Sequence, residues 1–356
     1  MLLHTIIVVA GFAAYAHGSC LHGTSKLRRR FTAEGKVQVS KFGYTNLQGP
    51  LNWANLAADN EACRTGKNQS PINLEPGVTA QAAAEAPIID IPNVESAEFE
   101  NLGTTIEAIV NGTTTVAGRQ FDLVQFHLHT PSEHRINEEY FPLEMHMVHQ
   151  AADNSGDIAV LGALFQLSTD GSTTDLLASL TQHIDEVAEP GSITETGPLD
   201  FAPLVSHLTT TPLLQYSGSL TTPPCAEGIT FLIAEQPMPL DVATYNKIKQ
   251  VVKFNARYTQ GNPGQENLLA LGARGMVGGE GAGSPAAGSG DAGGEGGDEH
   301  QSAPTSAHEA TTTPPAAASG SAAAPVSTIL VTEMALRASG VEMVVPTSVV
   351  AHVVPQ

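Results

Sequence analysis

QFHLHTPSEH, residues 125–134, places three histidines, a glutamine and a glutamate within ten positions, beside the apolar Phe126 and Leu128. Residues two apart on a β-strand face the same way. Gln125, His127 and His129 therefore share one face, and Phe126 and Leu128 share the other. A second stretch, LEMHMVHQ (143–150), alternates alike, with Glu144, His146 and Val148 on one face and Met145, Met147 and His149 on the other. If the two strands are neighbours, His127, His129 and His146 converge on one point. Three neutral imidazoles with an open fourth position make a catalytic zinc site, whereas a closed set of four ligands is structural. Gln125 beside His127 and Glu144 beside His146 supply the carbonyl and carboxylate that orient a ligand's second ring nitrogen. Alternation alone does not separate this arrangement from several hydrogen-bonded histidines in a polar cavity.

Other stretches read as strands too: FDLVQFHLH (121–129), IAVLGALFQL (158–167) and GITFLIAEQ (228–236) are apolar runs bounded by turn residues. DVATYNKIKQVVKFN (241–255) carries Val242, Tyr245, Ile248, Val251 and Val252 at helical spacing, with Asp241 placed to cap the start. The fold class expected is mainly β with a few helices. Composition is globular over 41–273, which sets the bounds of the expected folded domain. Residues 275–325 are rich in Gly, Ala, Ser and Pro, and cannot bury enough apolar surface to offset their ordering entropy. They read as a disordered tail. Residues 326–356 regain Val, Ile and Met, but Glu333, Arg337, Glu342 and His352 interrupt them, which makes a poor lipid anchor. Their role stays open.

The chain has 356 residues, 41% of them hydrophobic, and a formal net charge of -20. That length and apolar content allow a sizeable core. The acidic balance repels phosphates and argues against nucleic acid or anionic membrane as partners. Leu2 to Ala16 is apolar apart from His4 and Thr5, too short for a comfortable membrane span, and ends on Ala14-Tyr15-Ala16. It reads as a secretory signal over about 1–19, followed over 20–40 by a pro-segment or flexible region containing Arg28-Arg29-Arg30. The expected location is therefore secreted, with cell-surface or cell-wall association left open, and no membrane span is expected. Cys20 lies at the signal boundary, so a mature chain keeps Cys63 and Cys225, and two cysteines in a secreted protein suggest one disulfide. Sequons at Asn68 and Asn111 are glycosylation candidates consistent with that route.

Four stretches in this order, QSPINL (69–74), QFHLHTPSEH (125–134), LEMHMVHQ (143–150) and YSGSLTTPPCAEG (216–228), closely resemble the alpha-class carbonic anhydrases. The resemblance covers roughly Lys41 to Leu271. It implies a large twisted, mostly antiparallel sheet with one zinc ion per chain in a conical cleft. His127, His129 and His146 would be the ligands, and Gln125, Glu144 and Asn255 would orient them. Thr221 would be the gatekeeping threonine and Glu133 its buried partner. An ionised Glu133 only accepts, so Thr221 must donate to it and accept from zinc-bound hydroxide. Thr222 would line the substrate position, and Val148, Val160, Leu220 and Ile229 the apolar wall that holds carbon dioxide. Phe231 stands where many relatives carry Trp. Tyr44, His134, Tyr216 and Arg257 fit scaffold positions.

One departure concerns proton transfer. The family's shuttling histidine, when present, follows a short Asn-x-Gly segment, and here Thr104 follows Gly103. Glu107 or another histidine at the cleft mouth would have to take its place. The expected function is a secreted zinc enzyme that interconverts carbon dioxide and bicarbonate. The rivals are a zinc esterase acting on small activated esters and a non-catalytic binding module of the same family. Whether the chain is a monomer or a homodimer is left open.

Overall fold

Two histidine-bearing strands, one of them also carrying two methionines, lie side by side at the centre of the fold, in the register that the alternation calls for. In the computed structural model, which describes residues 31–32 and 35–277, strands are named β1 (Glu98–Asn101), β2 (Ile106–Ile109), β3 (Gly112–Val116), β4 (Arg119–His129), β5 (Leu143–Ala151), β6 (Ile158–Leu167), β7 (Ile193–Glu195), β8 (Leu213–Ser219), β9 (Glu227–Ala234) and β10 (Met238–Leu240). They form one large twisted sheet in the order β7-β1-β2-β4-β5-β6-β9-β8, closed at the far edge by Gln81–Ala82. Pairing is antiparallel except where β6 runs parallel to β9 and to β10. The expected signal, the region up to Arg30 and the Gly-rich tail beyond Val277 lie outside the described residues.

β4 and β5 are antiparallel, and His127 stands directly opposite His146, with Glu144 opposite His129. Both strands are buried on both faces along most of their length. Two apolar layers explain this. On one side Phe126, Leu128, Met145, Met147, Leu161 and Phe165 pack in the main core against residues of the helices α1 (Asp175–Leu180), α2 (Ala202–Thr210) and α3 (Val242–Val252). On the other, Val148, Val160, Leu164, Phe231 and Ile233 join a second cluster with Leu220 and Ile229. The histidines emerge on this second side. Gly162, opposite His146 on β6, gives Ile233 room to pack, since a Cβ would stand 2.4 Å from Ile233 Cδ1 and the side chain would have to shift.

Local chemistry sets the boundaries. Asp241 caps α3, accepting from the amides of Ala243 and Thr244 at 2.8 and 3.0 Å. Lys253, at φ 61°, ends the helix. The buried stripe of α3 differs from the expected one: Thr244, Ile248 and Val252 face the core, while Val242 is exposed at the first turn. The last helix, α4 (Leu268–Val277), runs three residues into the stretch read as tail. At the other end, the packed body reaches back beyond Lys41. Val37 is buried and its amide donates to Gly191 O at 3.1 Å. Cys63 and Cys225 form a disulfide, wholly buried against Phe42 and Trp53.

Candidate metal centre

His127, His129 and His146 present nitrogens that all lie within 4.8 Å of one another, and all three rings are buried. In each ring the other nitrogen is engaged. His127 Nδ1 lies 2.8 Å from Gln125 Oε1, His129 Nδ1 lies 2.9 Å from Asn255 O, and His146 Nε2 lies 2.7 Å from Glu144 Oε1. Since those partners only accept, each engaged nitrogen carries the proton, and the opposite nitrogen keeps its lone pair. His129 Nε2 is buried without a hydrogen-bond partner. Three convergent lone pairs, one of them on an orphaned buried nitrogen, fit a tetrahedral dication such as zinc. Burial, with His146 adding to it, pushes His129 down to about 3, so the ring is neutral over the working range of pH.

His134, Glu144 and His146 form a second cluster of suitable donor atoms. Glu144 is already saturated as a hydrogen-bond acceptor, however. Its Oε2 accepts from the amides of Glu133 and His134, both at 2.8 Å, and its Oε1 accepts from His134 Nδ1 at 2.6 Å as well as from His146. Burial alone would raise its pKa, but His134 and His146 outweigh that and hold Glu144 well below the usual carboxylate range. It is a hub that orients rings rather than a ligand.

Glu133 is wholly buried, with Oε2 3.4 Å from His129 Nε2 and Oε1 accepting from the Arg257 amide at 2.9 Å. The Thr221 side chain also hydrogen-bonds to it. Burial pushes Glu133 up to about 7, against the opposing pull of His146, Thr221 and the Arg257 amide. A dication held by the three imidazoles would favour the ionised form. Asn255 ties this corner together: its Oδ1 accepts from Thr130 N at 2.7 Å, and its Nδ2 donates to Leu128 O at 2.8 Å and Thr104 O at 3.0 Å.

The residues expected to line the substrate position also come together. Val148 and Val160 are cross-strand partners, Val160 pairs in turn with Phe231, and Leu220 and Ile229 lie in the same cluster. Thr222 follows Thr221, and its buried hydroxyl has no hydrogen-bond partner among the described residues. Phe231 stacks on Tyr216 with centroids 5.1 Å apart and also packs edge-on near His146. Tyr44 is half-buried beside Trp53, and Arg257 is buried, donating to Ser70 O at 2.7 Å and Gln69 Oε1 at 3.0 Å. Of the sequons, Asn111 is exposed and Asn68 half-buried.

Glu107 is not at a cleft mouth. It is wholly buried in β2, paired across the strands with His127 on one side and Glu100 on the other. Thr104 is buried, and its hydroxyl lies 3.0 Å from that of Ser40. Two features escaped sequence reasoning. His149 is buried between Thr114 Oγ1 at 2.9 Å and Met147 O at 2.9 Å, where only the β3–β4–β5 pairing could have placed it. Ser70, in QSPINL, bonds the Tyr216 hydroxyl at 2.7 Å across 146 residues of chain.

The family model for eukaryotic-type carbonic anhydrase matches residues 48–268. A carbonic anhydrase of Neisseria gonorrhoeae is 32% identical over 251 residues, spanning 69% of this chain and 87% of that protein. Among solved structures, the fungal alpha carbonic anhydrase from Aspergillus oryzae is similar at a TM-score of 0.63 and 43% identity, over 66% of this chain and 99% of that one. Dioscorin, solved in complex with ascorbate, is similar at a TM-score of 0.56 and 26% identity, over 63% of this chain and 95% of that one.

Proposed function

The chain belongs to the eukaryotic-type carbonic anhydrase family, and from that membership and its site we propose a secreted zinc enzyme that hydrates carbon dioxide reversibly to bicarbonate and a proton. Carbon dioxide hydration is the activity of the family. The observation that carries the zinc assignment is the convergence of three imidazole nitrogens, each with its other nitrogen already bonded. His127, His129 and His146 would hold the ion. When bound, zinc supplies Lewis acidity that lowers the pKa of water to about 7, a magnitude for which carbonic anhydrases are themselves the reference case.

The protein's own residues do the rest. Gln125, Glu144 and the Asn255 carbonyl fix the ring tautomers. Ionised Glu133 accepts the Thr221 proton, which leaves the Thr221 oxygen only able to accept. An attacking oxygen that donates its hydrogen to Thr221 turns its lone pair toward the substrate carbon. Val148, Val160, Leu220 and Ile229 would offer an apolar wall to a ligand that carries no net charge, and the buried Thr222 hydroxyl would bond the anionic product. Each hydration releases one proton, and Thr104 has no group that titrates in this range. The apolar stretch before Ala16 and the Cys63–Cys225 disulfide support secretion.

An esterase reading uses the same residues, and a binding module would not need all three imidazoles. Carbon dioxide hydration and hydrolysis of an activated ester, measured on the purified protein before and after chelation, separate the three. The expected result is fast, chelator-sensitive hydration that far exceeds ester hydrolysis. Ester hydrolysis without hydration, or neither activity with zinc bound, would contradict it.

A further inference from the structure

A buried chain of hydrogen bonds runs from His146 to the strand end that carries Thr221, and only its first link has a role so far. Beyond Glu144, His134 Nε2 lies 2.6 Å from the Tyr216 hydroxyl, which lies 2.7 Å from Ser70 Oγ. Ser70 Oγ accepts from Ser219 N at 3.0 Å, and the Ser70 amide donates to Ser219 Oγ at 2.9 Å. Every side chain in the series is buried. Ser219 ends β8, two residues before Thr221.

The direction of this chain is set at its carboxylate end, and the backbone amide anchors the other. A backbone amide only donates, and an ionised carboxylate only accepts. Ser70 Oγ receives from Ser219 N, and because the one Tyr216 proton is committed to His134, which itself donates to Glu144, Ser70 must give its own proton to Tyr216. Burial pushes the Tyr216 hydroxyl well above its ordinary pKa, so it keeps a proton to give to His134 Nε2. His134 then carries its proton on Nδ1 and donates to Glu144. Glu144 also takes the proton side of His146, which leaves His146 Nδ1 to face the metal. Packing protects the path. At Gly218 a Cβ would stand 2.1 Å from Ser70 Oγ, and the Tyr216 ring is held by its stack on Phe231 independently of the hydroxyl.

We propose that Tyr216 and Ser70 are positioning residues for the metal centre, which anchor His134, Glu144 and the His146 tautomer to the fixed Ser219 amide. The inference rests on the reading of His127, His129 and His146 as zinc ligands. Loss of the Tyr216 hydroxyl leaves His134 Nε2 without its donor in a site that excludes water, and loss of the Ser70 hydroxyl frees the Tyr216 proton to turn away from His134, so the ring and Glu144 gain alternative arrangements.

The test is the rate of zinc release from the holoenzyme to a chelating dye, for wild type, Tyr216→Phe, Glu144→Gln and the double variant. Tyr216→Phe keeps the stacked ring and should speed release about tenfold, the scale of lost orienting partners around a metal ligand. In the Glu144→Gln background the same change should add less than about twofold, because the path to His146 is already cut. Ser70→Ala keeps the Tyr216 donor but removes its anchor, so it should speed release by a smaller factor, and it serves if Tyr216→Phe does not fold. An unchanged release rate in both hydroxyl variants, or an equal effect with and without Glu144, overturns the inference while leaving the ligand reading intact. A wild-type chain that takes up no zinc overturns both.

Discussion

At the scale of single residues, the site divides into groups that hold an ion and groups that orient what meets it. Thr221 belongs to the second kind, since its hydroxyl is committed to Glu133. Thr221→Ala should keep zinc but lose about two orders of magnitude in turnover, the scale of one orienting bond at a transition state. Full recovery of the rate above pH 9 would contradict an orienting role. Thr104 bears on the released proton. It cannot titrate, and its hydroxyl is paired with Ser40. Turnover at fixed pH and ionic strength should therefore rise severalfold as imidazole buffer is added. A flat response at a high rate would show that some other group carries the proton. Much of this site was legible in the sequence. His127, His129 and His146 share a face by strand alternation, and Gln125 and Glu144 stand two residues from the rings they orient. Asn255, Thr221 and Glu133 were legible only by resemblance, because their meeting depends on how strands and loops pack, which local periodicity does not encode. Glu107 was misplaced for the same reason: which strand lies beside β4 is a fact of pairing, and that neighbour buries it against His127.

At the scale of elements, the long apolar runs predicted their strands well because β4, β5 and β6 are buried on both faces. The helix after Asp241 was legible from its cap, although its first valine faces solvent. Pairing of β3 with β4 produces a contact that no local pattern announces: His149 of β5 bonds Thr114 of β3 across the intervening strand. Burial pushes His149 down to about 4, against the weaker pull of the Met147 carbonyl. The unfolded chain binds that proton near pH 6.5, so stability from this group is complete above pH 6.5 and falls as pH drops through 4. The full shift corresponds to roughly 3 kcal/mol. Urea unfolding of wild type and His149→Gln between pH 4 and 8 isolates the effect. Wild type should lose up to about that much more stability than the variant on acidification. Parallel pH profiles for the two proteins would show that His149 does not titrate with unfolding.

At the scale of the whole molecule, the sheet brings together stretches far apart in sequence, and the disulfide fixes one of these long closures. Cys63 and Cys225 are separated by 162 residues, a loop for which chain entropy gives about 5 kcal/mol of stabilisation. Arg257 joins the same corner to Gln69, Ser70 and, through its amide, Glu133. The disulfide was readable from the cysteine count and the two central strands from alternation, while the Arg257 contacts that complete the frame were beyond composition and periodicity. Everything proposed for the chemistry depends on three imidazoles holding one ion. The direct test is the zinc content of purified wild type and of His127→Ala, His129→Ala and His146→Ala, each read beside its carbon dioxide hydration rate. The expected result is one zinc per wild-type chain, with most of the metal and nearly all activity lost in each variant. Zinc retained with full activity in any one of the three would contradict the assignment.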